Sequence, residues 1–172
     1  FSFEFFPAKS EQGHEKLLST FDELNKLSPT YFSVTYGAGG STRSRTLDIV
    51  QALCQRSDTP IAPHISCIGD DRAEVAELLD LYKGLGISRL VALRGDLPSG
   101  QVGMGELPFA LDLVKFIREY SGDHFHIEVA AYPEMHPQAK SFLFDIDNLI
   151  NKYKAGANTA ITQFFYNADS YL

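Results

Sequence analysis

A glutamate set among phenylalanines, Phe3-Glu4-Phe5-Phe6, is the side chain in this sequence best suited to acid–base chemistry. Partial desolvation by the rings would raise its pKa and keep it protonated near neutrality, as a general acid requires. A Glu at a strand end also commonly faces solvent or pairs with an Arg or Lys, and spacing alone leaves both readings open. Arg94-Gly95-Asp96-Leu97-Pro98 follows directly on the apolar run Leu90–Leu93. Gly95 lets the backbone approach a ligand, Asp96 offers paired acceptors to the N–H groups of a pterin or pyrimidine edge, and Arg94 can meet a phosphate or carboxylate. A strand-ending turn with a local Arg–Asp pair is written the same way. Gly37-Ala38-Gly39-Gly40-Ser41-Thr42 could offer backbone N–H groups to an anion at a helix N-terminus. It fits neither the P-loop nor the dinucleotide pattern, and an ordinary strand-to-helix turn has the same composition.

His64, behind Pro63, suits a ligand contact or a core hydrogen bond, the second being the commoner use. His136, in Tyr132-Pro133-Glu134-Met135-His136-Pro137, precedes a proline suited to the first turn of a helix, so capping and ligand contact are both open. Nothing resembles H-E-x-x-H, a nucleophile elbow or a Cys–His dyad, so hydrolase chemistry has no anchor. Glu4, His64 and Asp96 would also make an oxygen–nitrogen ligand set for a divalent metal, as in a metal-dependent lyase. Cys54 and Cys67, without C-x-x-C spacing, read as reduced core thiols.

These residues need elements to position them. Six apolar runs, about thirty residues apart, each end in a polar or ionisable group: Phe1–Phe3 at Glu4, Tyr31–Val34 at Thr35, Ile61–Pro63 at His64, Leu90–Leu93 at Arg94, Ile127–Ala131 at Tyr132, and Ala160–Thr162 at Gln163. Segments of helical periodicity lie between them. One is marked by Leu17, Leu18, Phe21, Leu24 and Leu27 and stopped by Ser28-Pro29; the next, shorter, holds Asp48, Ile49, Leu53 and Cys54. A third carries Val75, Leu78, Leu79 and Tyr82 after the caps Asp70-Asp71. Leu111, Val114 and Ile117 mark a fourth, and Ile146, Leu149, Ile150 and Tyr153 a fifth. The unbroken β-α alternation predicts a parallel α/β architecture. An open doubly wound sheet and a (β/α)₈ barrel compete, and the barrel is favoured because Glu4-Phe5-Phe6-Pro7 replaces the glycine-rich turn of a Rossmann first strand. On that reading residues 1–172 form a single barrel domain supplying about six of eight βα units, incomplete at its C-terminus. Leu97 to Gly105, rich in Gly and Pro, is expected to be a loop over the rim.

With 172 residues and 44% hydrophobic content the chain can build one core. A formal charge of −7 with scattered basic residues argues against nucleic acid as a partner. No run of the sequence approaches a membrane span, and a cytoplasmic location is expected.

The motifs Phe3-Glu4-Phe5-Phe6-Pro7, Ser33-Val34-Thr35-Tyr36-Gly37-Ala38, Ala62-Pro63-His64, Val91 to Pro98, Ala130-Ala131-Tyr132-Pro133-Glu134, and Gly156-Ala157-Asn158 with Ile161-Thr162-Gln163-Phe164-Phe165 together resemble the methylenetetrahydrofolate reductase family. The resemblance runs the length of the chain, in order. It implies a flavin-containing TIM barrel that passes hydride from NADH or NADPH through FAD to 5,10-methylenetetrahydrofolate, yielding 5-methyltetrahydrofolate for one-carbon metabolism and methionine supply. It further implies that Glu4 is the general acid that opens the folate ring, that Asp96 lies near the flavin and holds the pterin, and that Gln163 contacts folate and nicotinamide. Flavin contacts carry over to Thr35, His64, Arg94, Gly95, Asp96, Tyr132, His136, Asp145, Asn148 and Lys152, with the last helix presenting Asp145, Asn148 and Lys152 along one face. Phe109 stands where some members place Tyr, and Asn151 where some carry Arg. Small-molecule folate as partner, no metal, and a homo-oligomer when full length complete the expectations. A flavin- or folate-binding subunit without turnover, and the metal-dependent lyase, are the alternatives from other functional classes.

Overall fold

Alternation along each apolar run decides which side chains face the helices and which face the barrel axis. In the computed structural model, which describes residues 1–36, 40–96 and 105–172 and the side chains of these except 40–43, the runs become six strands. They are β1 (Phe3–Phe5), β2 (Phe32–Val34), β3 (Ile61–Ser66), β4 (Arg89–Leu93), β5 (His126–Ala131) and β6 (Thr159–Thr162). Between them lie α1 (Glu11–Asn25), α2 (Gly40–Cys54), α3 (Arg72–Gly84), α4 (Ala110–Ser121) and α5 (Phe142–Lys154), and a short 3-10 helix follows at Ala168–Ser170. The strands pair in parallel in the order β1-β2-β3-β4-β5-β6. A doubly wound sheet reverses its strand order at a switch point; a sheet that advances by one neighbour at every step curls as a barrel does. The chain is therefore a half-barrel of TIM type, and the open-sheet reading falls.

The outward face carries the core. Phe32 stacks on Phe5 at 5.6 Å and meets Phe21 of α1 at 4.6 Å. Val34, Leu53, Ile65, Leu79, Leu90, Val114 and Ile127 continue this layer between sheet and helices, all buried. The inward face, fixed by the register Glu4↔Ser33, His64↔Val91 and Val91↔Glu128, is where polar groups enter the sheet. At its N-terminal floor the buried Glu128 carboxylate accepts the Tyr31 hydroxyl at 2.9 Å and pairs with the Arg89 guanidinium, which lies 4.7 Å over the Tyr31 ring.

Helix ends follow local chemistry. Asp71 caps α3 through a reciprocal box, accepting the Glu74 N–H at 2.8 Å while Glu74 accepts the Asp71 N–H at 2.9 Å. Several boundaries differ from expectation. α1 ends at Asn25, ahead of the αL residue Ser28, and leaves Leu27 exposed. α2 is not short: it begins at Gly40. α5 forms, but its apolar stripe is left largely uncovered, with Ile146, Ile150 and Tyr153 exposed and only Leu149 packing on the core. Glu4 and His64 lie within β1 and β3 rather than at their ends, because those strands run on to Phe5 and Ser66. Gly37 to Gly39 and most of the 97–105 loop, where the anion-binding and rim-loop expectations fall, lie outside the described residues. Both cysteines are free, and burial pushes the Cys67 thiol up to about 12. Among the described residues no helix is long and apolar enough to cross a membrane.

Candidate active site

Two constellations form at the C-terminal side of the sheet. The larger is a cleft of about 480 Å³ between the ends of β4 and β5, walled by the start of α4 and by α5. Its volume lies in the range of small-molecule and cofactor sites.

Gly95 turns the chain out of β4 with a φ of +83°, and a Cβ there would stand 2.0 Å from the Ser66 hydroxyl oxygen. That hydroxyl donates to the Arg94 carbonyl at 2.7 Å, so the turn is anchored to β3. Arg94 does not bond Asp96. Its Nε donates to the Gly95 carbonyl at 3.2 Å and its Nη2 to the Gln138 side-chain oxygen at 2.9 Å, which sets the guanidinium beside the cleft. Asp96 lines the mouth and is exposed.

The opposite wall is a loop tied to a helix. The Tyr132 ring meets His136 edge-on at 4.5 Å, and the His136 N–H donates to the Asp145 carboxylate at 2.8 Å. Gln138 N–H donates to His136 Nδ1 at 3.0 Å, which assigns the ring proton of neutral His136 to Nε2. Pro137 sits in this loop and not in a helical first turn; α5 opens at Phe142, behind a Ser141 cap that accepts the Phe144 N–H at 3.2 Å. Asp145, Asn148 and Lys152 then line the cleft from α5, as their spacing requires. Lys152 donates to the Ala130 carbonyl at 2.6 Å, and burial pulls its ammonium below the usual lysine range against the opposing pull of Asp145. Burial likewise raises the Tyr132 hydroxyl.

The second constellation is on the inward face. Glu4 Oε2 lies 3.2 Å from His64 Nε2 and accepts the Ser33 hydroxyl at 3.4 Å. His64 is buried, and its Nε2 lies against the Glu4 carboxylate without the alignment of a regular hydrogen bond. The effect on Glu4 is opposite to that expected from the sequence. His64 first, then Ser33, hold its carboxyl below the usual 4.5, while burial works the other way. Phe3 and Phe5 fail to desolvate it because side chains alternate along a strand: the rings face α1 and the carboxylate faces the axis.

The cleft thus gathers Arg94, Gly95, Asp96, Tyr132, His136, Asp145, Asn148 and Lys152. Glu4 and His64 meet each other but do not line it. Thr35 follows directly on β2, its N–H donating to the Phe5 carbonyl at 2.9 Å and its carbonyl accepting the Thr46 hydroxyl at 3.1 Å. Gln163 extends β6, donating its N–H to the Ala131 carbonyl at 2.7 Å, with its side-chain oxygen taken by the Phe164 N–H at 2.9 Å. Glu4, His64 and Asp96 do not assemble as a metal site, and among the described residues no cluster of three His, Cys, Asp or Glu groups does. Sequence reasoning missed Gln138, Phe144 and Ser33. Gln138 and Phe144 carry no periodic signal; Ser33, a polar residue inside an apolar strand, did.

The donor chemistry of the cleft suits an anionic ligand that carries a flat ring. Arg94 and a desolvated Lys152 are cations that gain from a diphosphate, Asp145 and Asn148 offer groups to ribose and base, and Tyr132 and Phe109 give flat apolar surface.

The sequence matches the methylenetetrahydrofolate reductase family over residues 1–172. It is 47% identical over 171 residues to the 5,10-methylenetetrahydrofolate reductase of Pectobacterium carotovorum and 45% identical to that of Escherichia coli K12, covering 99% of this chain and 56% of each relative. An Arabidopsis thaliana methylenetetrahydrofolate reductase (NADH) is 38% identical over 185 residues, covering the whole chain and 31% of that protein. The chain therefore spans about half the length of its bacterial relatives. Among solved structures, a sialic acid aldolase of Ruminococcus gnavus superposes with a TM-score of 0.59 at 11% identity, covering 95% of this chain and 54% of its own. A phosphonopyruvate hydrolase does so at 0.62 and 9%, covering 94% and 57%. At such identities these two likenesses speak for the barrel fold alone. The family match along the full chain and the bacterial identities together establish that the chain belongs to the methylenetetrahydrofolate reductase family.

Proposed function

We propose that the protein containing this chain reduces 5,10-methylenetetrahydrofolate to 5-methyltetrahydrofolate with NADH or NADPH, using FAD held in the β4–β5 cleft. The observation that carries the reading is the convergence, in one cleft, of cations from β4 and α5 with the polar face of α5. Bound FAD would supply the relay of hydride between nicotinamide and folate. The chain's own residues do the rest. Lys152 and Arg94 neutralise the diphosphate, while Asp145 and Asn148 orient the adenosine end. Asp96, at the mouth, accepts from the pterin N–H groups, and Gln163, on the neighbouring strand end, contacts folate and nicotinamide in turn. Glu4 supplies the proton that opens the folate ring. The product would feed one-carbon metabolism and methionine supply.

The test uses the full-length protein purified with FAD. NADH or NADPH should bleach the flavin absorbance and methylenetetrahydrofolate should restore it; Glu4→Gln should lose the second step and keep the first. A protein with no flavin absorbance and no folate reduction with either nucleotide would overturn the proposal, and equal loss of both steps in Glu4→Gln would remove Glu4 from the acid role.

A further inference from the structure

Glu4 presents a difficulty for any acid role. Its environment favours the carboxylate, yet an acid must carry a proton when substrate arrives. The neighbouring group that resolves this is His64. It projects from β3 toward β1 across the Ser33 position of β2, is 8% exposed, and places Nε2 3.2 Å from Glu4 Oε2 with no aligned partner of its own. The Ser33 hydroxyl reaches the same oxygen, Oε2, at 3.4 Å.

We propose that His64 is a positioning residue sharing one proton with Glu4, so that the pair, rather than the Glu4 carboxyl alone, is the acid of the reaction. The inference rests on the reductase reading above and deepens it. In the open mouth, where the Glu4 side chain is 45% exposed, water stabilises an imidazolium–carboxylate pair. A flat ring covering the mouth removes that water and makes two adjacent charges costly. The His64 Nε2–H bond then breaks and the Glu4 O–H bond forms, leaving neutral imidazole beside a neutral carboxyl, with charge and protons balanced inside the pair. Glu4 gives this proton to the substrate nitrogen whose bond to carbon breaks, and the pair regains one proton from solvent after product leaves.

The surroundings isolate the pair. Glu4 is faced by Ser33 from β2 and His64 from β3; His64 is flanked by Val91 of β4, which cannot titrate. Arg89 and Glu128 lie at the floor and compensate each other. No other charged group among the described residues contributes to the Glu4 shift.

The test is the pH profile of the folate half-reaction in full-length, flavin-loaded protein, compared between wild type and His64→Gln. If the proton is shared, the alkaline limb of the wild type belongs to the pair and lies near the histidine range; without His64 it falls toward the carboxyl range. The limb should move down by about one pH unit or more, a loss of about tenfold in folate reduction at pH about 8. If His64 is only a cationic neighbour, its removal raises the Glu4 pKa and the limb moves up; an upward or absent shift overturns the proposal. A second readout needs no turnover. The infrared band of a protonated carboxyl that is absent in Glu4→Gln should appear when a non-reactive folate covers wild type near neutral pH, and should be missing in His64→Gln. Its presence in His64→Gln would equally overturn the proposal. Wild-type protein that takes up no flavin would instead sink the reductase reading, so the two failures are distinct.

Discussion

Replacing Glu128 by Ala should be among the most damaging single changes in the sheet, although the residue is remote from the cleft. The residue is 2% exposed, and its carboxylate holds two partners, the Tyr31 hydroxyl and the Arg89 guanidinium. Removal leaves Arg89 as an uncompensated charge; because the Arg89 side chain is 24% exposed, water can relieve part of that, and the low end of the range for a broken buried pair applies, about 3 kcal/mol. Tyr31 also loses its carboxylate acceptor, which adds up to about 1 kcal/mol. Glu128→Gln keeps an acceptor for only one of the two partners, because Tyr31 and Arg89 are held by different oxygens, and should cost somewhat less than Glu128→Ala. The double change Glu128→Leu with Arg89→Met removes both charges and should lie within about 1 kcal/mol of wild type. Urea unfolding followed by circular dichroism measures these proteins together with the single variants Glu128→Leu and Arg89→Met. A cost for Glu128→Ala below about 1 kcal/mol, or a double variant as unstable as the two singles added together, would refute the reasoning.

Gly95→Ala should destabilise by about 2–4 kcal/mol, from the positive φ and from overlap with the Ser66 hydroxyl; adding Ser66→Gly relieves the overlap only, and thermal melting of both variants checks the split. Lys152→Met should weaken flavin binding by about tenfold or more, the value of a charge-assisted contact, read by fluorescence on titrating the apoprotein; unchanged affinity would take Lys152 out of the flavin contacts. Glu4 has a folded-state pKa below its usual 4.5, so the stability it contributes is complete above that value and is lost as pH falls through the lower one. Glu4→Gln should therefore flatten the acid limb of the stability profile below pH 4.5 and leave the neutral region unaltered in slope, as measured by unfolding at graded pH.

Much of the fold was legible because a parallel barrel repeats one signal: an apolar run, a polar end, a helical stripe. What periodicity cannot show is which face a stripe meets. Ile146, Ile150 and Tyr153 make a good amphipathic pattern on α5, yet it is the polar Asp145, Asn148 and Lys152 that the tertiary structure puts to use. Strand lengths misled in a similar way. Pro63 and His64 look like an ending, but β3 carries on to Ser66, because a proline contributes its carbonyl to one neighbour even without an N–H. The Glu4 environment was misread for a simpler reason: neighbours in sequence on a strand are on opposite faces. His64 and Ser33, each about thirty residues or a multiple of that away, set its charge state, and such cross-strand pairs become visible only once register is known. Glu128 was legible in principle, as a charge inside the run Ile127–Ala131.

The strictly sequential strand order bears on how the chain acquires its shape. Among these six strands each one after β1 pairs with the one made just before it, so none of these five pairings waits for a distant part of the polypeptide. Loop-closure cost stays small and similar at each addition, and the sheet can grow in the direction of synthesis, one βα unit docking on the last. The cleft between β4 and β5 would then be complete only when α5 has emerged, whereas the Glu4–His64 pair would meet as soon as the third strand is in place.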